Sequence, residues 1–462
     1  MIRQPWPSRV PARHRVKAVV LALLVVFVLA YRHLWYDISS PIPYTPWSSA
    51  DYGGSWMKHP ENTTTPTATW TLQPTPTGKD THARTARLYT KLTMHQAAAP
   101  ADERHLGCPT INAERYRELI PPSDADTRKY FFALDLVQVI DLLPTLMGSV
   151  LEVLRFLGPH NCVVSIVEGR STDGTYETLL MLGETIESMG AGFFLQRSAL
   201  NPRIGDRIGK LAKLRNLALE PMHLPATNMG YDSTVLFVND IAVCAEDLLE
   251  LALQRQRQHA SMACAMDYHK LGRWTGAQSG QIAFYDVWIS RSMDGETFYM
   301  VPPGEGPRYA DDLFPYDDVA RTRFGQRQPL QVFACWNGAV AIDAQPFLEG
   351  NLEFRRARKS TGECGAGEPT LLCKDLWHLG QGRILLVPSV SVAYSIDEGL
   401  DVKQTLGYTS NWTASATESA EAIAWDPHPP DVVRCIPSWR KQFWQAWDYG
   451  LEKVSKSIAR QA

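Results

Sequence analysis

From about Lys129 onward, short apolar runs alternate with stretches whose apolar positions recur at helical spacing. Tyr130 to Leu136, Cys162 to Val167, Gly192 to Leu195 and Thr234 to Val238 are runs of strand length. Val139 to Leu157 (with Pro144 early in it), Thr175 to Met189, Ile208 to Leu219 and Ala245 to Gln256 read as helices. Such alternation predicts an α/β fold, a parallel sheet covered by helices. Ligands on such sheets bind beyond the carboxyl ends of the strands. The residues just after each apolar run are therefore where chemistry is sought. After Ser261 the pattern changes, and strand-like runs such as Met262 to Met266 and Ile282 to Ile289 lie among Gly- and Pro-rich loops. We divide the folded part at that point, into 104–260 and 261–450, followed by a short tail, 451–462.

The N-terminal pattern is of another kind. Arg3, Arg9, Arg13, Arg15 and Lys17 precede any acid, and Ala18 to Tyr31 carries neither charge nor proline. That run is short against the roughly 20 residues that cross a bilayer. It lengthens if Lys17 and Arg32 snorkel and Leu34, Trp35 and Tyr36 sit in the interface. We read 1–17 as a cytosolic tail and 18–36 as a transmembrane signal anchor. The alternative is a signal peptide cleaved near Val28-Leu29-Ala30. Either reading places the rest in the lumen or outside the cell. Residues 37–103, with Pro41-Ile42-Pro43 and Thr63-Thr64-Thr65-Pro66, are too rich in Pro, Ser and Thr to bury a core and read as a stem.

Composition narrows the classes further. Hydrophobic residues at 45% supply a large core, and a net charge of −3 argues against a nucleic-acid binder. The 14 Trp and 17 Tyr suit either core packing or stacking on sugar rings. Asn62-Thr63-Thr64 and Asn411-Trp412-Thr413 are glycosylation triplets. Cysteines 108, 162, 244, 264, 335, 364, 373 and 435 all follow the apolar segment, and an oxidising lumen permits disulfides among them. Cys364 and Cys373 are close enough in sequence to bridge, but spacing leaves the pairing open. No Cys-x-x-Cys pair suggests structural zinc.

Three segments at element ends carry candidate chemistry. Glu168-Gly169-Arg170-Ser171-Thr172-Asp173-Gly174-Thr175 leads from a buried strand into a helix. Its carboxylates can bond a nucleoside and its amides can face phosphate, or the segment is only a cap and turn. Phe237-Val238-Asn239-Asp240 ends a strand. Asp240 there can hold Mg²⁺ or Mn²⁺ bridging a diphosphate, or close an Asx turn. Gly362-Glu363-Cys364-Gly365-Ala366-Gly367-Glu368 opens a helix that continues through Asp375. Glu368 can take or orient a hydroxyl proton, or simply complement the helix N-terminus. Lys210, Lys213 and Arg215 can neutralise diphosphate or form a solvated face. His269 and His378 read as structural.

In order along the chain, these segments resemble glycosyltransferase family 69, the fungal capsule-associated and α-1,3-mannosyltransferase group. The resemblance covers roughly Tyr130 to Tyr394. It is carried by Ser165 to Thr175, Leu214-Arg215-Asn216, Phe237 to Ile241, Cys264 to Tyr268, Phe284 to Trp288, Cys335 to Gly338, Gly362 to Glu368, Cys373 to Trp377 and Val387 to Val390. It implies a GT-A-like, Rossmann-type domain and a type II membrane protein of the Golgi or endoplasmic reticulum. It also implies a GDP-mannose donor, a glycan acceptor, a divalent metal (Mn²⁺ or Mg²⁺) and retention of anomeric configuration.

On that resemblance 104–260 is the nucleotide-sugar half and 261–450 the acceptor half. Glu168, Arg170, Ser171, Asp173, Lys213, Arg215, Asn216 and Asn239 are expected to hold the donor. Asp240, Glu368 and Asp375 are expected to be catalytic, with Asp240 the metal ligand. Asp267, Asp286, Trp336 and Asn337 are expected to hold the acceptor. The chain departs from broader GT-A enzymes twice: Val238 stands where the first acid of Asp-x-Asp falls, and Pro369 where a second helix-opening acid falls. Those departures keep a non-catalytic partner in polysaccharide synthesis as an alternative. A lumenal hydrolase using two carboxylates is the other.

Overall fold

The computed structural model describes residues 105–122, 125–271, 280–414 and 421–451. The expected anchor and stem, and Asn62, lie outside them. Among the described residues no helix is long and apolar enough to cross a membrane.

In chain order the elements are β1 (Arg128–Leu136), α1 (Leu143–Leu157), β2 (Cys162–Glu168), α2 (Thr175–Ser188), β3 (Gly192–Arg197), α3 (Arg207–Leu219), β4 (Met229–Val238) and α4 (Ala245–Arg257). The next are β5 (Met262–Lys270), β6 (Ile282–Phe284), α5 (Asp318–Gly325), β7 (Leu330–Gln331), β8 (Ala339–Asp343), α6 (Gln345–Leu348) and α7 (Glu368–His378). The last are β9 (Ile384–Ala393), α8 (Ile396–Leu406), α9 (Thr409–Thr413), β10 (Val432–Cys435) and β11 (Phe443–Ala446).

The described residues build a mixed α/β structure around one nine-stranded sheet, ordered β3-β2-β1-β4-β8-β5-β9-β7 with β6 on β5. Strands β3, β2, β1 and β4 run parallel, and β8 is inserted antiparallel between β4 and β5. The sheet therefore passes without a break from the first half of the chain into the second.

All seven positions of β2 are buried, because helices cover both faces. The two faces are legible in β1. Phe132, Leu134 and Leu136 join a cluster with α1 and α4, while Phe131 and Ala133 join one with α3 and α7.

Several expected boundaries move: β4 begins at Met229 rather than Thr234, and β5 runs on to Lys270 rather than stopping at Met266. The first helix begins at Leu143 rather than Val139, with Pro144 in its opening turn, where a missing N–H costs nothing. The strand expected over Ile282 to Ile289 stops at Phe284. There Val287 N–H bonds the Tyr285 carbonyl, and Ile289 and Ser290 N–H bond the Asp286 carbonyl, so the chain turns.

Disulfides join Cys108 to Cys244, Cys264 to Cys335 and Cys364 to Cys435. The neighbours Cys364 and Cys373 do not bridge: Cys373 lies on the buried side of α7, where its thiol donates to the Cys335 carbonyl.

Candidate functional site

The candidate site forms beyond the carboxyl ends of β1, β4 and β5 and is organised by one guanidinium. Arg215, on α3, donates from Nε to Glu368 Oε1 at 2.9 Å and reaches Asn239 Oδ1 at 3.4 Å. Its guanidinium lies 4.2 Å over the Trp336 ring, with Phe237 and Phe354 also in range. Trp336 Nε1 donates to the same Asn239 oxygen at 3.1 Å. The tip of β4, the start of α7 and the segment before β8 are thus held to α3 by one side chain.

Carboxylates crowd around this point. Asp240 follows Asn239, and burial pushes its carboxyl up despite the Arg215 charge. Asp135, near the end of β1, is pushed up to about 6, chiefly by burial and further by Asp240 and Glu368. On β5, Asp267 is fully buried, accepts the Tyr394 hydroxyl at 2.8 Å on Oδ2, and leaves Oδ1 without a partner. Asp286 interacts with it, and burial raises both carboxyls well above the ordinary range.

Asn337 holds a left-handed backbone with φ 56° and is fixed by bonds to the Ala265 carbonyl and the Ser290 hydroxyl. Gly338 follows with φ 88°. A Cβ there would lie 3.1 Å from Val392 and 3.2 Å from Ile241, so only glycine lets β8 begin against Asp240's neighbours.

Several expected site residues are placed elsewhere or already engaged. Glu168 accepts Ser171 N–H at 2.5 Å and Arg197 Nε at 3.1 Å. Ser171 Oγ accepts Gln138 N–H, and Asp173 accepts Ile140 and Thr175 N–H. Ser171 and Asp173 thus lace the loop after β2 to the loop after β1, and Glu168 ties it to the end of β3. Arg170, with φ 59°, is exposed, as is Thr172. Asn216 is used at both ends, exchanging 2.9 Å bonds with the Phe354 backbone. Lys213 is exposed, and Lys210 closes its own loop onto the Asn201 and Ile204 carbonyls.

Asp375 is not with Glu368. It pairs with Arg355 at 2.6 and 2.8 Å, and Arg355 also grips Glu363. Although burial works against it, bonds from Arg355, the Arg358 backbone and Lys374 hold Glu363 down to about 2. The reason is geometric. Two helical turns carry Asp375 away from the helix start, to where Arg355 supplies its counter-charge.

Asp135 and Tyr394's bond to Asp267 were missed from the sequence. The one visible signal for Asp135 was an isolated acid one residue before the end of an otherwise apolar strand. Among the described residues, no three His, Cys, Asp or Glu side chains are arranged to hold a metal ion.

Fold and site define a mixed α/β protein with a cluster of acids at its strand ends, centred on a buried arginine. A family model described as cryptococcal mannosyltransferase 1 matches residues 129–375, more than half of the chain. Alpha-1,3-mannosyltransferase CMT1 of Cryptococcus neoformans is 29% identical over 409 residues, covering 83% of this chain and 85% of that protein. The chain belongs to this capsule-associated family of mannosyltransferases.

Among solved structures, GalNAc-T7 with UDP, GalNAc and Mn²⁺ superposes with a TM-score of 0.35 at 13% identity, over 64% of this chain and 56% of that one. Mannosyltransferase PcManGT of Pyrobaculum calidifontis, with GDP-Man and Mn²⁺, gives 0.33 at 13%, over 68% and 67%.

Proposed function

We propose that this chain is a GT-A-like, retaining α-1,3-mannosyltransferase that moves mannose from GDP-mannose to a mannose-containing glycan in the secretory pathway. The observation that carries this is the convergence of Asp135, Asp240 and Glu368 on Arg215 at the carboxyl ends of parallel strands. Family membership supports mannose as the transferred sugar. The disulfides support an oxidising lumen, and the basic, apolar N-terminus supports a type II anchor in the Golgi or endoplasmic reticulum.

A divalent cation fits the donor set. Asp240 offers a hard oxygen ligand beside the carboxyls of Asp135 and Glu368, and Mg²⁺ or Mn²⁺ is commonly held by one or two carboxylates plus substrate phosphates. When bound, the cation supplies charge neutralisation on the departing nucleotide.

The residues have separable tasks. Arg215 positions the Glu368 side chain and aims the Asn239 amide. Burial raises the carboxyls of both Asp267 and Asp286, which favours their protonated forms, and a protonated carboxyl donates to a hydroxyl as well as accepting from one. With Pro369 in place of a second acid, the acceptor hydroxyl attacks from the leaving-group side and passes its proton to the departing diphosphate.

The test is transfer of labelled mannose to manno-oligosaccharides by the full chain, with and without Mn²⁺. Asp240→Ala is expected to lower the rate by about a hundredfold or more. Full activity in that variant ends the assignment of Asp240. A thermal-shift screen against GDP, UDP and CDP sugars checks the donor, with GDP-mannose expected to stabilise most.

A further inference from the structure

The acidic cluster continues outward into a strip of aromatic rings. The turn that carries Asp286 also carries Tyr285, which is 47% exposed, and Trp288, which is partly exposed. Tyr285 contacts Tyr394 with ring centroids 5.1 Å apart, and Tyr394 is the residue bonded to Asp267. Trp288 packs on Trp439 at 4.3 Å. The Trp439 carbonyl accepts Gln442 Nε2, Gln442 Oε1 accepts Arg434, and the Arg434 guanidinium lies 5.4 Å over Trp444, itself 43% exposed. Rings alternate along this path with a planar amide and a planar guanidinium.

The C-terminal hairpin β10–β11 is fastened to the Asp286 turn. Fully buried Arg291 donates from Nε to the Arg434 carbonyl at 2.7 Å and from its terminal nitrogen to the carbonyls of Val287 and Ser290. Thr370 Oγ1 bonds the Ile289 carbonyl, so the same turn is fixed to α7 next to Glu368. The Cys364–Cys435 disulfide joins β10 to the loop that leads into Glu368. A hairpin needed only to cover the sheet edge does not require rings on its outer side. Cross-strand Arg434 and Trp444 form a cation–π pair on this hairpin, where Trp444 meets solvent.

We propose that Tyr285, Trp288, Trp439, Gln442, Arg434 and Trp444 form an extended acceptor platform for a glycan chain of several pyranose units. It would bind the sugars behind the one that receives mannose. Pyranose C–H faces pack on aromatic rings, while the amide and guanidinium meet the hydroxyls. Continuity with the acidic cluster argues for this occupant, because the turn that carries Asp286 also carries Tyr285 and Trp288, the first rings of the strip. The inference rests on the glycosyltransferase reading and adds that the substrate is an oligosaccharide rather than a single sugar.

The experiment measures KM and kcat of the full chain with manno-oligosaccharides of two to six units at saturating GDP-mannose. It compares the wild type with Trp444→Ala and, as a second site, Trp439→Leu, each checked by its melt. In the wild type KM is expected to fall with acceptor length. In Trp444→Ala the KM for the six-unit acceptor is expected to rise about tenfold, with kcat changing much less. A purely structural role would instead lower kcat equally at every length.

An unchanged length dependence in both folded variants overturns the platform and leaves the transferase assignment standing. Manno-hexaose titrated against tryptophan fluorescence without donor separates the two failures. If no mannose is transferred at all, tight hexaose binding that Trp444→Ala weakens still upholds the platform, and equal affinity for two and six units removes it.

Discussion

At Arg215 a buried guanidinium meets a carboxylate, an amide and three aromatic rings. Removing one partner of a buried ion pair strands the other and costs about 3–5 kcal/mol. Arg215→Met is therefore expected to lower the melting temperature markedly, and adding Glu368→Gln is expected to restore part of the loss. Calorimetry of both single variants and the double variant checks this, and strict additivity would show that the pair is not coupled.

Asp135 sets a pH signature. Burial and neighbouring carboxylates raise its pKa from 3.8 to about 6 on folding, so the folded chain holds this proton more tightly than the unfolded one. The stability it adds is full below the ordinary value and is lost as pH rises through the folded value. In chelator, Asp135→Asn should melt close to wild type at pH 4 and above it at pH 8. A difference that does not vary with pH would contradict this.

Helix α7 divides two roles that its sequence presents together. Glu368, at its first position, bonds Arg215, whereas Asp375 belongs to the Arg355–Glu363–Lys374 network. Asp375→Asn is expected to lower the melting temperature while holding the transfer rate within about threefold of wild type. Glu368→Gln is expected to lower kcat while leaving the affinity for GDP-mannose nearly intact. Loss of transfer in Asp375→Asn with a native melt would return Asp375 to a catalytic role.

The strand runs around β1, β2 and β4 were readable because buried parallel strands are apolar along their length. The turn at Tyr285 to Ser290 was not readable, because its carbonyl bonds involve no special residue type. The loop from Glu168 to Asp173 reads in sequence either as a donor-holding loop or as a cap and turn. Asp173 binds Ile140 N–H, which depends on the loop after β1 lying beside it, and Glu168 binds Ser171 N–H and Arg197.

Across the whole molecule, the sheet brings residues from positions 135 to 394 to one end, and disulfides close loops of 136 and 71 residues between them. A native disulfide closing a long loop contributes about 2–5 kcal/mol. Reduction under native conditions is expected to lower the melting temperature by about 5 °C or more. Identical melts with and without reductant would mean the crosslinks are dispensable.

The amino-acid pattern by itself determined most elements of the first half, the class of fold and the strand tips at which to look. Those depend on local spacing, and spacing is written along the chain. Which acids face one another was decided only in three dimensions. Asp135 joins Asp240 because β1 lies beside β4, Asp375 leaves Glu368 because Arg355 is near it, and Cys364 meets Cys435 because a hairpin folds back over α7. Pairing of distant charges depends on sheet order and burial, and neither is carried by any short stretch of sequence.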